Sequence, residues 1–126
     1  MKIFVFGSNL AGKHGKGAAL EAREKYGAIL GKGKGRQGNS YAIPTKDRKL
    51  RTLALDKIHY HVSQFIYYAS KHPRLRFFVT PIGTGLAGYT SIDIAPMFKG
   101  TTPNVILPKK WRKLIVCPTC KRPYTV

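Results

Sequence analysis

Two glycine-rich turns, each placed where an apolar strand ends, constrain this sequence more than any other feature. The first spans Phe6 to Leu20 and contains Gly7, Gly12, Gly15 and Gly17. The second spans Pro81 to Tyr89 and contains Gly83, Gly85 and Gly88. A strand that ends in a glycine loop and continues as a helix is how an α/β protein presents backbone N–H groups to phosphate. Glycine permits positive φ and lets the backbone approach a ligand closely. The helix that follows adds the positive end of its dipole. One such loop could be only a tight turn. Two of them in 126 residues point to a single pocket that grips a diphosphate from both sides.

The segments between these turns alternate strand and helix. Ile3-Phe4-Val5-Phe6 reads as a buried strand stopped at Gly7, and Gly15 to Tyr26 suits a helix closed by Gly27. The stretch from Gly31 to Gly38 reads as a flexible basic loop. Ser40 to Ile43 forms a second strand, expected to stop at Pro44. From Leu55 to Lys71 the apolar positions Leu55, Ile58, Val62, Phe65, Ile66 and Ala69 repeat at helical spacing and mark one buried face. Arg76 to Ile82 is a third strand leading into the second glycine loop. A short helix over Ser91 to Phe98 and a last strand over Asn104 to Leu107 complete the pattern. Such alternation argues for an α/β layer fold with a largely parallel sheet. Ligands in such sheets lie outside the carboxyl ends of the strands, where both loops fall.

The net charge of +18, set against only five acids, restricts the partner class. A field of that size concentrates polyanions around the protein and speeds their encounter, so nucleic acid or a polyanionic nucleotide is the expected partner. Lys32, Lys34 and Arg36 in the basic loop, with Lys109, Lys110, Arg112 and Lys113, are expected to form one positive rim beside the pocket. Past Pro108 the chain becomes basic and acid-free, and residues 109–126 read as a tail appended to a domain over 1–108. Trp111 in that tail could stack on a base or pack the tail down. No apolar run has the length of a membrane span, and no signal-peptide pattern opens the sequence. A cytoplasmic protein without a membrane partner is expected.

Three blocks carry a resemblance to a known family. Asn9-Leu10-Ala11-Gly12-Lys13-His14-Gly15-Lys16-Gly17-Ala18-Ala19-Leu20 is the first, followed by Tyr26-Gly27. Ala42-Ile43-Pro44-Thr45-Lys46 is the second, and Pro81-Ile82-Gly83-Thr84-Gly85-Leu86-Ala87-Gly88 the third. In order and separation they resemble the macrodomain family, closest to its branch of DNA ADP-ribosyl glycohydrolases and terminal ADP-ribose protein glycohydrolase. The resemblance covers roughly residues 3 to 107. It implies a three-layer α/β/α fold with a mixed, largely parallel sheet, shortened at its N-terminus, that binds ADP-ribose or a related nucleotide between these loops. The family's earlier strand and adenine-holding aspartate have no counterpart in this sequence. Ala87 stands where the protein-directed relatives carry an acid, which fits the DNA-directed relatives better.

By the same resemblance, Asn9 and Lys46 fall on catalytic positions, and Gly83, Thr84, Gly85 and Leu86 on the loop around the diphosphate. Gly7, Ser8, Gly12, His14, Gly15, Gly17, Thr45, Ala87 and Gly88 complete the expected ligand-binding set. Lysine suits nucleophilic attack on the anomeric carbon of ribose, which releases the acceptor and passes through an imine. The bland alternative for Lys46 is a surface lysine after a proline turn. Asn9 could orient a ribose hydroxyl or cap its own turn. Catalysis on this plan needs no cofactor. Cys117-Pro118-Thr119-Cys120 has the look of half a zinc knuckle. Structural zinc wants four ligands, so a metal held by Cys117 and Cys120 would call for histidines or a second copy of the chain in a homodimer. Three functions compete: a hydrolase removing ADP-ribose from nucleic acid, a nucleotide-binding module without turnover, and a nucleic-acid-binding protein on the same scaffold.

Overall fold

The computed structural model describes residues 2–85, 87–112 and 114–115. Its elements run β1 (Lys2–Asn9), α1 (Gly17–Lys25), β2 (Gly35–Gln37), β3 (Ser40–Lys46), α2 (Leu55–Ser70), β4 (Arg76–Val79), α3 (Ser91–Ile94), β5 (Val105–Ile106) and α4 (Lys109–Arg112), with a 3-10 turn over Ala95–Phe98. One five-stranded sheet has the order β2-β3-β1-β4-β5. β1 lies at its centre, parallel to β3 and β4, and β5 is parallel to β4. Only β2 runs antiparallel. The protein is therefore α/β with a mixed, mostly parallel sheet.

Alternation along β1 explains the layers. Successive side chains of a strand point to opposite faces. Ile3 and Val5 join the larger core with Ile58, Val62 and Phe65 of α2, while Phe4 and Phe6 join a smaller one with Ala22 of α1. Helices thus cover both faces, an arrangement compatible with three α/β/α layers. The buried stripe of α2 follows the expected spacing, with Ile58, Val62, Phe65 and Ala69 all inside. Phe65 meets the rings of Tyr41, Phe77 and Phe98 at centroid distances of 5.0, 5.4 and 6.2 Å.

Several sequence expectations need correction. β1 does not stop at Gly7 and β3 does not stop at Pro44; the two run on together to Asn9 and Lys46. Proline has no N–H to give a neighbour. The ladder absorbs this by a register shift directly after the Ser8–Pro44 pair, so that Asn9 lies opposite Lys46. A bulge is where a sheet tolerates proline.

The basic loop is also more ordered than its composition suggests. Gln37 is buried, and its amide donates to the Lys32 carbonyl at 2.9 Å and accepts the Ile29 N–H at 2.7 Å. That single side chain pins both sides of the turn that leads into β2. Finally, the core continues past residue 108. Trp111 and Ile115 are fully buried in the larger cluster, and the Trp111 indole N–H donates to the Ser91 hydroxyl at 2.9 Å. Trp111 closes the domain and offers no ring to a base.

Candidate functional site

β1 sends its chain to one face of the sheet through α1, and β4 sends its chain to the other face through α3. Adjacent parallel strands whose connections diverge leave a crevice at their carboxyl ends, the usual ligand position in such folds. Here a cleft of about 580 Å³ opens at that point. Both glycine loops line it: Gly7, Ser8, Asn9, Gly15 and Gly17 from the first, and Gly83, Gly85 and Ala87 from the second. The end of β3 adds Thr45 and Lys46. The expected convergence of three sequence blocks on one cavity is thus present in the geometry.

Other expected site residues stand elsewhere. Gly12, His14, Thr84 and Gly88 are not part of the lining. Gly12 has φ +71° and backs onto the Gly31–Lys32 backbone, where a Cβ would lie 2.3 Å from the Gly31 carbonyl carbon. His14 is wholly buried against Phe6, its ring edge-on at 5.2 Å. Its Nε2 lies 3.0 Å from the Lys32 carbonyl oxygen. A carbonyl only accepts, so Nε2 carries a proton, and among the described residues the buried Nδ1 has no hydrogen-bond partner. His14 therefore fastens the first loop from behind and does not reach a ligand. The Thr84 hydroxyl donates back to the Pro81 carbonyl at 2.7 Å, which shapes the second loop. Leu86, Lys113, Cys117 and Cys120 lie outside the described residues. Among the described residues, no group of three or more His, Cys, Asp or Glu side chains could hold a metal ion, and no helix is long and apolar enough to cross a membrane.

Within the cleft, Asn9 is committed to its own loop. Its Oδ1 accepts the Lys13 N–H at 2.9 Å, and its Nδ2 donates to the Lys13 carbonyl at 3.0 Å. The Ser8 hydroxyl is likewise spent, donating to the Gly33 carbonyl. Lys46 differs. It is half-buried, and among the described residues its ammonium group has neither an ion-pair nor a hydrogen-bond partner. Lys13 and Lys16 add two more amines, and among the described residues no carboxylate lines the cavity. Among the described residues, the backbone N–H groups of Gly15, Lys16, Gly83 and Gly85 find no acceptor. The start of α1 also carries no side-chain cap, which leaves its first N–H groups and its positive dipole end to the cavity. Amines and unpaired N–H groups of this kind are complementary to an anion.

Leu50 is a lining residue that sequence reasoning missed. It has φ +63°, a left-handed backbone that costs an ordinary L residue roughly 1–2 kcal/mol. The turn that holds it is closed by Asp47. One carboxylate oxygen accepts the N–H groups of Lys49 and Arg51 at 2.8 and 3.0 Å, and the other takes Arg51 Nε at 3.1 Å. The Arg51 N–H, then the Lys49 N–H and the Arg51 side chain, hold the Asp47 carboxyl below its ordinary value. At the base of the turn, Lys46 bridges to Thr52, whose hydroxyl donates to the Ala87 carbonyl at 3.0 Å. The turn after β3 and the second glycine loop are thus tied to each other. A lone leucine within Asp47-Arg48-Lys49-Leu50-Arg51 was the available signal for this element.

Among the described residues, the basic positions expected to share one rim lie at opposite edges of the sheet. Lys32, Lys34 and Arg36 lie beside β2 at one edge of the sheet, and α4 follows β5 at the other. Four strand spacings, about 19 Å, separate those edges. Arg36 is occupied structurally, donating to the Gly38 carbonyl and the Tyr68 hydroxyl at 2.9 and 3.2 Å. Lys34 faces His61 across a small pocket. Burial first, and Lys34 second, push the His61 imidazole below its usual range. Arg112 Nε donates to the Leu107 carbonyl at 3.1 Å, which leaves Lys109 and Lys110 as the exposed cations of α4.

Comparison of the chain with family models, with curated proteins and with solved structures found no match.

Proposed function

We propose that the cleft binds ADP-ribose and that the protein removes ADP-ribosyl groups from nucleic acid, as its likeness to macrodomain hydrolases implies. One observation carries the reading: both glycine loops and Lys46 open onto the same carboxylate-free cavity. Free N–H groups from two sides suit a diphosphate. The volume lies in the usual range for small-molecule pockets, roughly 300–1,000 Å³. On this reading the Lys46 ammonium first gives a proton to solvent, and the neutral amine attacks the anomeric carbon while the bond to the acceptor breaks. The acceptor leaves with a proton, the sugar ring opens to an imine, and water hydrolyses the imine to return Lys46 and free ADP-ribose.

Among the described residues no carboxylate pair, the usual machinery of glycoside hydrolysis, lines the cavity, and of its three lysines Lys46 is the one that ends a strand. Calorimetry with ADP-ribose, combined with release of ADP-ribose from an ADP-ribosylated oligonucleotide, tests the reading. Lys46→Ala should abolish release and leave ADP-ribose binding intact. Unchanged turnover in that variant removes Lys46 from the mechanism. A second reading, binding without turnover, is favoured by the commitment of the Asn9 amide to the Lys13 backbone. Tight binding with no release by the unmodified protein from either DNA or protein substrates would select it.

A further inference from the structure

Leu50 is the one non-glycine residue with positive φ among the described residues, and it stands on the wall of the cleft. Strained backbone persists where the surroundings over-determine it, and it clusters at functional sites. Packing does not explain Leu50. It belongs to neither core and is 43 % exposed. The turn holds it there through the three Asp47 bonds, the Lys46–Thr52 bridge and the Thr52 bond across to Ala87. An apolar side chain is being held on the wall of the cleft with much of its surface open to solvent.

Its neighbours say what that side chain meets. Arg48 and Lys49 are exposed, and among the described residues neither has an ion-pair partner, whereas Arg51 is paired with Asp47. The turn therefore offers an uncharged surface beside two available cations, and its one carboxylate, Asp47, is bound by the Lys49 and Arg51 N–H groups and the Arg51 side chain. A flat base with phosphates on either side is complementary to that combination. An acidic peptide would match the cations and leave the leucine facing charge.

We propose that residues 48–50 read the acceptor: Leu50 lies against a base of a single-stranded nucleic acid, and Arg48 and Lys49 hold the phosphates beside it. Apolar side chains are used against unstacked bases in this way. The proposal rests on the ADP-ribosyl reading only for what happens inside the cleft.

Fluorescence anisotropy with a short labelled single-stranded DNA, titrated over a range of salt, tests the turn directly. Arg48→Ala with Lys49→Ala should lower affinity about tenfold near physiological salt. The same pair should reduce the slope of log affinity against log salt by about 1.4, the value for two phosphate contacts on a single strand. ADP-ribose binding by that variant should not change. Leu50→Asn, which keeps a residue tolerant of the left-handed backbone, should lower DNA affinity severalfold and leave the slope alone. DNA affinity and slope unchanged in both variants would overturn the proposal. So would an ADP-ribosylated peptide that binds as tightly as the DNA and depends equally on Arg48 and Lys49. Failure of the unmodified protein to bind ADP-ribose would sink the reading of the cleft, while the DNA slope would still decide the turn.

Discussion

Gly12 and Gly33 read like Gly15 and Gly85 in the sequence, yet the two pairs do opposite things. A Cβ on Gly33 would lie 2.3 Å from the Asn9 carbonyl oxygen, and one on Gly12 would meet the Gly31–Lys32 backbone just as closely. Those glycines let the first loop and the 31–33 turn press backbone on backbone. Gly15 and Gly85 are without a positive φ, and a Cβ on either would meet nothing within 4 Å. Neither conformation nor packing asks for glycine there. Both line the cleft. One pair is small because the protein fills the space. The other is small beside space the protein leaves open, which is where close backbone approach to a bound molecule is useful.

The largest test of that contrast is Gly33→Ala. The added methyl must push apart backbone on two segments, a form of overpacking that costs about 3 kcal/mol. Calorimetry should show the melting temperature falling by on the order of 10 °C. A drop within a degree or two would mean that the 31–33 turn is not packed as described.

Gly85→Ala should behave in the opposite manner. Stability should hold or rise by up to about 1 kcal/mol, since alanine narrows the unfolded ensemble. ADP-ribose affinity should fall about tenfold, equivalent to roughly 1.4 kcal/mol. Unimpaired binding would make Gly85 incidental and weaken the contrast from the ligand side.

The smallest effect concerns the turn over 47–51, which is held by a carboxylate and not by glycine. The Asp47 carboxyl lies below its ordinary value of 3.8, chiefly through the Arg51 N–H. Its folded value is depressed, so its contribution is present above the unfolded value and is lost as pH falls through the folded one. Carboxyl titration by NMR should place Asp47 below a peptide aspartate, and Asp47→Asn should remove that step from the acid limb of stability. Titration at 3.8 would mean the turn is open in solution.

Elements governed by periodicity were legible. The stripe from Ile58 to Ala69 and the apolar run from Ile3 to Phe6 announce a helix face and a buried strand, because each pattern repeats on its own element. The carboxyl-end position of both glycine loops followed from the strand–loop–helix order. What escaped depends on contacts between segments distant in sequence. Gln37 pins Ile29 and Lys32, and nothing local marks it as buried. Trp111 in a basic stretch looks like an appended anchor until Ser91 and Phe98 are seen beside it. Asn104 is a third case. Its Nδ2 lies 3.1, 3.1 and 3.0 Å from the carbonyls of Ala69, His72 and Leu75, closing the end of α2. The glycines of the 31–38 stretch misled for a related reason, since composition does not distinguish a mobile backbone from one packed against another backbone.

The central position of β1 has a consequence for how the chain acquires its fold. β1 is synthesised before either of its neighbours, and its second partner, β4, begins at Arg76. Parallel pairing over that separation must wait for slow loop closure. Until then Ile3-Phe4-Val5-Phe6 keeps the edge that β4 will cover open even when β3 has paired, a short apolar β-prone run of the kind that seeds association between nascent chains. The excess of Lys and Arg over acids, already present in the residues up to Arg76, works against that encounter, because copies carrying like charge repel one another before their strands can meet. Charge that the proposed function uses at the cleft thereby also protects the unfinished chain.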